Sequence, residues 1–369
     1  MKERREGLKF LIAGGGTGGH IFPAIAIANA LKKEVADAEI LFVGAKGRME
    51  MEKVPQAGYQ IKGIDIAGFN RSSLIKNIGL PWLLMKSFSQ VRSIVKNFKP
   101  DAVIGVGGYS SFPVLRFAQA KGIPTFIHES NSFAGKSNIL LGKKATKVFV
   151  ATDGMERFFP AQKIVITGNP IRPDIVNAAA ISKHEALQFF GLGEERKTVL
   201  IVGGSLGARS INQAIANGLT ELENAGLQII WQTGKTDAPK WQSAAAGMKF
   251  VWVREFITEM QTAYAAADLV VSRAGAMAVA ELCVVEKPVV FVPFPFAAED
   301  HQTVNAKHLV DKGAAIMVKD SEAVRQVVPT IVELARDEQK QMALKQNIAR
   351  QKITDADKRI ADEILKEIK

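Results

Sequence analysis

The sequence predicts an α/β protein built from two Rossmann-like, doubly wound domains. Short apolar runs alternate with helical patterns along the chain, which is typical of parallel strands covered by helices on both faces. The opening run Lys9–Ala13 leads into a glycine loop and a helix, and residues 198–202 begin the same order 189 positions later. A length of 369 residues fits two domains of ordinary size.

Each half of the chain supplies its own strands and helices, which the apolar patterns locate. In the first half, strands are expected at residues 9–13, 40–43, 102–106, 125–128 and 148–150, and helices at 21–31, 78–98 and 114–120. In the second half, strands are expected at residues 198–202, 228–231, 250–253, 269–272, 289–292 and 315–318. Two prolines in residues 167–174 predict the linker, and residues 337–369 show a charged helical pattern.

The composition excludes several classes of protein. An apolar fraction of 47% is ordinary for folded cores, so a disordered or fibrous chain is excluded. The single cysteine excludes a disulfide framework and fits a reducing compartment. No apolar run reaches the ~18 residues of a transmembrane helix. The charged start MKERREG lacks the apolar core of a signal peptide, so none is expected.

The net charge of +11 is concentrated in the first half of the chain. Residues 1–168 contain 24 Lys and Arg against 12 Asp and Glu, whereas residues 169–369 contain 24 against 25. A basic half indicates nucleic acid, an anionic membrane surface or an anionic substrate. Nucleic acid is disfavoured because no recognition motif occurs and the chain has only three tyrosines.

Three glycine-rich segments follow predicted strands. They are GGGTGGH at residues 14–20, GVGGYSS at 105–111 and GGSLGAR at 203–209. Glycines allow close backbone approach, and a helix N-terminus offers N–H groups and partial positive charge, so such loops suit a diphosphate. A tight turn without a ligand is the alternative. No lysine completes a P-loop, and no acidic residue ends the second strand, which disfavours a nicotinamide enzyme.

Polar side chains stand where predicted strands end. His20, at the start of a helix, is the best candidate for a general base, with capping of that helix as the alternative. His128 and Glu129 precede Asn131 at another strand end, where they serve either a site or the amides of their own loop. Glu281 lies about two turns into a helix and either faces solvent or binds two sugar hydroxyls. We expect no metal site, because no HExxH, Cys/His cluster or carboxylate-rich loop occurs.

Residues 69–99 combine apolar and basic side chains. More apolar residues crowd between Leu74 and Phe88 than one buried helix stripe needs, and lysines and arginines are interleaved with them. A core helix with a basic solvated face explains part of this pattern. An apolar surface ringed by basic residues, however, is typical of a peripheral protein on an anionic membrane. The residues expected to contact the membrane are Leu74, Ile75, Lys76, Ile78, Trp82, Leu83 and Lys86.

Seven motifs, in order, resemble those of the MurG family of glycosyltransferases. They are GGGTGGHIFPAIAIA, GVGGYSSFP, HESNSFAGKSN, GNPIRPD, GGSLGARSIN, SRAGAMAVAEL and AAEDHQTVNA, and they extend from about Phe10 to about Ala306. This family consists of peripheral membrane enzymes that make lipid II for bacterial peptidoglycan. The resemblance implies a GT-B fold. It also implies inverting transfer of N-acetylglucosamine from UDP-N-acetylglucosamine to the 4-hydroxyl of the muramoyl sugar of lipid I.

The resemblance also implies a role for each half of the chain. Residues 1–168 would form the acceptor and membrane-associating domain, with a helix at about 350–369 packing back on it. Residues 169–349 would bind the donor. The protein would need no cofactor and would lie on the cytoplasmic face of the bacterial inner membrane, against its anionic leaflet. Cell-wall and division proteins are further partners that the resemblance suggests.

Individual site residues follow from the matching motifs. The donor would contact Thr17, Gly18, Gly19, Asn131, Arg172, Ser205, Ile257, Ala276, Met277, Ala278, Val279, Ala280, Glu281, Gln302 and Asn305. In this set Glu281 would bind the ribose, and Gln302 and Asn305 would contact the N-acetylglucosamine. The lipid diphosphate would contact Gly15, Gly16, Gly107, Gly108 and Tyr109. The candidate catalytic residues are His20 and Glu129.

Two positions depart from the family pattern, and three other functions fit part of it. Ala278 stands where Thr is common, which removes one hydroxyl contact to phosphate, and His301 stands where Gln occurs, which leaves its role open. The alternatives are a GT-B transferase with a soluble acceptor, a UDP-N-acetylglucosamine epimerase, and a nucleotide-sugar-binding scaffold protein without activity. The membrane segment at 69–99 favours the lipid-linked acceptor over a soluble one.

Overall fold

The computed structural model of the chain describes residues 7–68 and 79–368 and consists of two units. Unit 1 contains the residues up to Ile171 together with those from Asp355 onward, and unit 2 contains Arg172–Thr354. The boundary lies three residues beyond position 168, inside the proline-containing segment 167–174. Each unit has its own parallel sheet and its own apolar core, so the predicted α/β class with two doubly wound domains is confirmed.

Unit 1 is built on a parallel sheet that has seven strands in the described part of the chain. They lie in the order β3-β2-β1-β4-β5-β6-β7. The strands are β1 Lys9–Ala13, β2 Glu39–Ala45, β3 Gln60–Ile64, β4 Ala102–Gly105, β5 Thr125–Glu129, β6 Lys147–Val150 and β7 Ile164–Ile166. The helices are α1 Gly18–Glu34, α2 Glu50–Gln56, α3 Leu80–Phe98, α4 Ser111–Ala120, α5 Lys136–Gly142 and, at the C-terminus, α16 Ala356–Glu367.

Apolar clusters cover both faces of this sheet. On one face, Ile27 of α1 and Ile364 of α16 belong to the same cluster as Phe10 of β1, so the C-terminal helix completes the core of unit 1. On the other face, Val91 of α3 packs with Leu11 of β1. Because successive side chains of a strand point to opposite faces, a strand covered on both sides is apolar throughout.

Unit 2 repeats the arrangement with six described strands. They are all parallel and lie in the order β10-β9-β8-β11-β12-β13. The strands are β8 Lys197–Val202, β9 Leu227–Gln232, β10 Val251–Arg254, β11 Leu269–Ser272, β12 Val289–Phe291 and β13 Ile316–Met317. The helices are α6 Pro173–Val176, α7 Lys183–Phe190, α8 Arg209–Asn217, α9 Leu219–Asn224, α10 Ala238–Ala244, α11 Met260–Ala266, α12 Ala276–Val285, α13 His301–Val310, α14 Ala323–Arg336 and α15 Glu338–Ala349.

The strand order determines where loops meet. In unit 1 the chain passes from β1 to β2 on one side and returns to β4 on the other; in unit 2, β8 lies between β9 and β11 in the same way. All carboxyl ends of a parallel sheet lie at one edge, and ligands bind where the strand order reverses. We therefore expect ligand-binding sites at the loops after β1 and β4 in unit 1 and at the loops after β8 and β11 in unit 2.

The sequence pattern does not predict β3 and β7. Both strands lie at the edges of the sheet in unit 1. The residues of β3 alternate between exposed and half-buried before Ile64, and β7 has three residues, none of them fully buried. A continuous apolar run identifies a strand that is covered on both faces, so edge strands with partial cover lack that signal.

Candidate functional site

In unit 1, the first glycine loop packs directly on the second. Gly15 and Gly16 have φ angles of +151° and +88°, which favour glycine. The N–H of Gly15 donates to the Gly107 carbonyl at 3.3 Å, and a Cβ on Gly108 would collide with the Gly15 carbonyl. The N–H of Gly16 donates to a carboxylate oxygen of Glu50 at 2.7 Å. These two amides are therefore occupied within the protein, which leaves the first turn of α1 to offer N–H groups to an anion.

His20 lies at the contact between these two loops. Its Nδ1 is 3.1 Å from the Gly15 carbonyl oxygen and 3.3 Å from Thr17 Oγ1. A carbonyl oxygen can only accept, so Nδ1 carries the proton of the neutral ring and Nε2 carries the lone pair. A Cβ on Gly107 would lie 2.7 Å from Nε2, so only glycine leaves room for the ring there. The structure thus gives this histidine the tautomer that a general base needs.

The second glycine loop ends at the N-terminus of α4. Ser111 donates its hydroxyl to the carbonyls of Ala13 and Gly107, which binds the loop to β1. The hydroxyl of Ser110 is buried and has no hydrogen-bond partner among the described residues. The Tyr109 ring is half exposed and packs against Gly68. A buried, unpartnered hydroxyl beside a helix N-terminus fits an anionic group bound at this point.

Glu129 is occupied by its own loop. The side chain is buried, and its two oxygens accept the N–H groups of Asn131 and Gly135 at 3.1 and 3.0 Å and the Asn138 amide at 2.9 Å. These donors hold the segment between β5 and α5 in shape. This geometry favours the alternative in which Glu129 serves the amides of its own loop over a catalytic role.

His128 is a buried neutral histidine. Its Nε2 lies 3.4 Å from the Gly168 carbonyl oxygen, and its Nδ1 lies 3.4 Å from the Ser130 hydroxyl. Burial lowers its pKa from 6.5 to about 4, against the hydrogen bond to Gly168, and repulsion from His20 when that ring is protonated acts in the same direction as burial. The ring therefore links β5 to the end of unit 1 and is uncharged at neutral pH.

In unit 2, a buried amide organises the loop that follows β8. Gln232, at the end of β9, donates to the Gly204 carbonyl at 3.2 Å and accepts the Ile257 N–H at 3.0 Å. Gly207 packs on the backbone at Gly234, where neither residue has room for a Cβ. Ser205 is exposed at the tip of this loop. The segments that contain the predicted donor residues Ser205 and Ile257 are thus held together by one side chain.

Arg273 cross-links three loops at the same sheet edge. Its guanidinium donates to the carbonyls of Val292 and Pro293 at 2.8 and 3.1 Å, to Asp320 at 2.6 Å and to the Ser210 hydroxyl at 3.2 Å. Five donors in a fixed fork allow one side chain to make all these bonds. The ends of β11 and β12 and the first turn of α8 are thereby held in one arrangement.

Helix α12 begins three residues after Arg273, at the same edge of the sheet in unit 2. Its N-cap, Gly275, is extended, and the first turn contains no acidic residue that would compete with a bound anion. The predicted donor residues from Ala276 through Ala280 form the first turn and the start of the second. Their side chains are small or apolar, so the partial positive charge of the helix terminus is accessible at the sheet edge.

Glu281 is a largely buried carboxylate, with 12% of its side chain exposed, and it has two polar neighbours. The Tyr264 hydroxyl donates to one of its oxygens at 3.1 Å, and Arg172 lies 3.5 Å from the other. Burial raises the pKa of Glu281, while Arg172 and then Tyr264 favour the ionised form. Burial beside this carboxylate also raises the pKa of Tyr264 well above 10, so that its hydroxyl remains a donor. The carboxylate keeps acceptor capacity for hydroxyl groups.

The polar residues that follow β12 make different kinds of contact. Gln302 accepts the Phe294 N–H at 2.9 Å and is half-buried, at the start of α13. Asn305, which was predicted to contact the sugar, is buried and donates to the Ala274 carbonyl at 3.1 Å. This hydrogen bond supports the turn that precedes α12. His301 has Nδ1 2.7 Å from the Ala298 carbonyl oxygen, which gives it a capping contact within its own turn.

The predicted membrane surface is only partly within the described residues. Leu74, Ile75, Lys76 and Ile78 lie outside them. On α3, Trp82 is 70% exposed and Met85 is 59% exposed, and the two side chains lie three residues apart on one face of the helix. Leu83 is half-buried, and Lys86 is 3.2 Å from Asp65. No helix in the described part of the chain has the length and hydropathy needed to span a bilayer.

Comparison with known proteins establishes the family. The glycosyltransferase family 28 N-terminal domain matches residues 10–150, and the family 28 C-terminal domain matches residues 198–360. The UDP-N-acetylglucosamine--N-acetylmuramyl-(pentapeptide) pyrophosphoryl-undecaprenol N-acetylglucosamine transferase of Parabacteroides distasonis is 52% identical over 361 residues, covering 97% of this chain and 98% of the relative. The crystal structure of Acinetobacter baumannii MurG is 31% identical with a TM-score of 0.80, covering 97% of this chain and 99% of that one. The chain belongs to the MurG family of glycosyltransferases.

Membership of this family confirms the GT-B fold and the assignment as an N-acetylglucosaminyltransferase. A UDP-N-acetylglucosamine 2-epimerase structure is 17% identical with a TM-score of 0.65, covering 98% of this chain and 95% of that one. At that identity the likeness shows the fold alone. The epimerase alternative is therefore not favoured over the transferase.

Sequence reasoning missed several residues that build the site. Glu50, Gln232, Tyr264 and Arg273 each hold a loop or a carboxylate through contacts with residues far away in the chain. Arg273 had a signal, because it stands between a strand end and a glycine turn. The other three lie on elements without a recognisable motif, so only the folded chain reveals their roles.

We expect His128 to make the protein less stable in acid. Its pKa is about 4 in the folded chain against an ordinary 6.5, so between these values only the unfolded state binds the proton. The contribution of the neutral His128 to the free energy of unfolding is fully present above pH 6.5. It should fall by roughly 3 kcal/mol between pH 7 and pH 4. Urea unfolding of the wild type and of H128Q across this range measures the difference.

The matched control for this measurement is H184Q. His184 is an exposed histidine that contacts Glu194 on the surface of unit 2. H184Q should keep the pH dependence of the wild type, whereas H128Q should lose part of it. Equal pH dependence in all three proteins would contradict the buried neutral state of His128.

Proposed function

We propose that this chain transfers N-acetylglucosamine from UDP-N-acetylglucosamine to the 4-hydroxyl of the muramoyl sugar of lipid I, with inversion, to give lipid II. The relatives at about half identity carry this donor and acceptor in their names. The observation that carries the proposal is the largely buried Glu281 carboxylate, held by Tyr264 and Arg172 on helix α12, which follows β11, the strand beside β8. A nucleotide diphosphate needs this pairing of an acceptor for ribose with an anion site.

Unit 2 is the donor site in this proposal. Glu281 accepts hydrogen bonds from the ribose hydroxyls, while Tyr264 and Arg172 keep the carboxylate in place. The diphosphate lies between the N-terminus of α12 and the loop that carries Ser205. Gln302 contacts the N-acetylglucosamine in this proposal, as the resemblance implies. Asn305 acts indirectly, through the turn that it supports.

Unit 1 is the acceptor site in this proposal. The lipid diphosphate accepts from the N-terminus of α4 with its buried Ser110 hydroxyl. The first-turn amides of α1, at Thr17 through Gly19, stay assigned to the anionic donor, as the resemblance implies. His20 takes the proton of the acceptor hydroxyl through Nε2, while Nδ1 donates to the Gly15 carbonyl. Gly107 and Tyr109 lie beside the proposed site of the lipid diphosphate.

The proposed reaction is a single displacement. The acceptor oxygen attacks the sugar carbon as His20 removes its proton, and the bond from that carbon to the diphosphate breaks on the opposite face. UDP leaves as an anion, and helix N-termini and backbone N–H groups stabilise the charge that develops on it. Among the described residues, no three His, Cys, Asp or Glu side chains form a cluster with the spacing of metal ligands.

The same proposal includes attachment to the cytoplasmic face of the inner membrane. The exposed Trp82 and Met85 of α3, with the excess positive charge of the first half of the chain, support binding to an anionic leaflet. A lipid-linked acceptor requires the enzyme to work at that surface. Cell-wall and division proteins are also proposed as partners, and this part of the proposal rests on family membership.

Transfer of labelled N-acetylglucosamine to a lipid I analogue is the direct test. The purified chain should form a lipid II analogue from UDP-N-acetylglucosamine, and activity should persist in EDTA. UDP-N-acetylglucosamine incubated without acceptor should stay unchanged. Formation of an epimer without acceptor, or transfer to soluble sugars in preference to the lipid analogue, would overturn the proposal.

Replacing Glu281 by glutamine should weaken donor binding. Hydrogen bonds to a charged acceptor contribute about 1.5–3 kcal/mol, so the Kd for UDP-N-acetylglucosamine should rise about tenfold to hundredfold in E281Q. Isothermal titration measures this Kd. The control is E286Q at the other end of α12, where the carboxylate binds Lys352. Unchanged binding by E281Q would remove Glu281 from the donor site.

Replacing Trp82 and Leu83 by serine should release the protein from membranes. Each large apolar side chain withdrawn from an interface loses roughly 1.5–3 kcal/mol, so vesicle affinity should fall about tenfold or more. Co-sedimentation with vesicles containing phosphatidylglycerol measures it. M342S is the control, because Met342 is an exposed apolar residue of unit 2. Equal vesicle binding by both variants would argue against α3 as the membrane surface.

A further inference from the structure

Glu50 is a buried carboxylate with main-chain partners on two different segments. It is the first residue of α2, and 1% of its surface is exposed. One oxygen accepts the Gly16 N–H of the first glycine loop at 2.7 Å, and the other accepts the Ala45 N–H at the end of β2 at 2.9 Å. The carboxylate therefore bridges the first glycine loop and the neighbouring strand.

Two glycines make room for this bridge. A Cβ on Gly15 would collide with the Glu50 carboxylate, and a Cβ on Gly44 would lie 2.5 Å from its Cγ. Gly15 and Gly16 also adopt φ angles that other residues rarely adopt. The glycines of the first loop are therefore needed to leave room for Glu50, 34 residues away from Gly16, in addition to any role in binding phosphate.

A short series of bonds joins this carboxylate to His20. Glu50 holds the N–H of Gly16, and the preceding residue, Gly15, presents the carbonyl that accepts from His20 Nδ1 at 3.1 Å. The peptide plane between Gly15 and Gly16 carries both groups. Rotating that plane away from Glu50 would also turn the carbonyl away from the ring, because the two atoms belong to one rigid amide.

We infer that Glu50 is a positioning residue for His20: it fixes the Gly15–Gly16 peptide and thereby the orientation and tautomer of the imidazole. The catalytic part of this inference rests on the proposed function, in which His20 is the base. Glu50 does not touch the substrate. Its effect is to keep Nδ1 protonated so that Nε2 presents its lone pair.

A carboxylate suits this position better than an amide. Both contacts are N–H donors, so two acceptor oxygens are required. Glutamine has nearly the same shape but only one oxygen, and its NH₂ group would face one of the two N–H donors. E50Q should therefore loosen the loop without removing volume from the core. E50D keeps the charge but is one methylene shorter, so it should restore one of the two bonds.

The test uses the full chain, labelled with ¹⁵N-histidine. The five histidines give separate ring signals, and H20Q identifies the signal of His20 by its loss. In the wild type, His20 should show the Nδ1–H tautomer. In E50Q the signal should move toward a mixture of tautomers, kcat for transfer should fall about tenfold to hundredfold, and KM for UDP-N-acetylglucosamine should change less than twofold.

The control is E52Q, on the same helix. Glu52 is exposed, and its carboxylate contacts Gln56 and Lys53. E52Q should keep the wild-type ring signal and kcat, and E50D should fall between wild type and E50Q. An unchanged His20 tautomer in folded E50Q would overturn the inference, whatever happens to kcat. If the wild type transfers no N-acetylglucosamine, the proposed function fails, while the ring signal still tests the link between Glu50 and His20.

Discussion

Close contact between backbone segments at the glycine loops is the constraint on which both units depend. In unit 1, Gly108 lies against the carbonyl of Gly15, and in unit 2, Gly207 lies against Gly234, with no room for a side chain in either case. Such contacts bring the ends of neighbouring strands together at one sheet edge. They also require most amides of the loops to find acceptors within the protein, since a buried N–H without a partner is costly.

Buried polar side chains meet that requirement. Glu129 accepts several N–H groups of its own loop, whereas Glu50 and Gln232 each join two separate segments. Glu281 differs, because its neighbours are one tyrosine hydroxyl and one arginine at 3.5 Å. A carboxylate saturated by its own loop is structural, whereas one with remaining acceptor capacity can bind a ligand. The distinction separates Glu129 from Glu281, although both lie near strand ends.

The distribution of charge has a physical explanation in the proposed function. The near-neutral second half would bind an anionic donor through helix N-termini, backbone amides and a few placed side chains, which need no net charge. The excess of twelve positive charges in residues 1–168 would act over a larger area, toward an anionic leaflet and a lipid diphosphate. Local dipoles and long-range charge thus would serve different ligands in the two halves.

The sequence by itself determined the two parallel sheets, most of their strands and the family. Strands covered on both faces are continuous apolar runs, and the motifs quoted from residues 14–20 to 297–306 keep their order. Only the tertiary structure decided which polar groups at the strand ends are occupied. The roles of Glu50, Gln232 and Asn305 depend on partners far along the chain, at Gly16, Ile257 and Ala274. A local pattern reports the secondary structure of a residue, whereas its hydrogen-bond partner is fixed by how the strands are ordered.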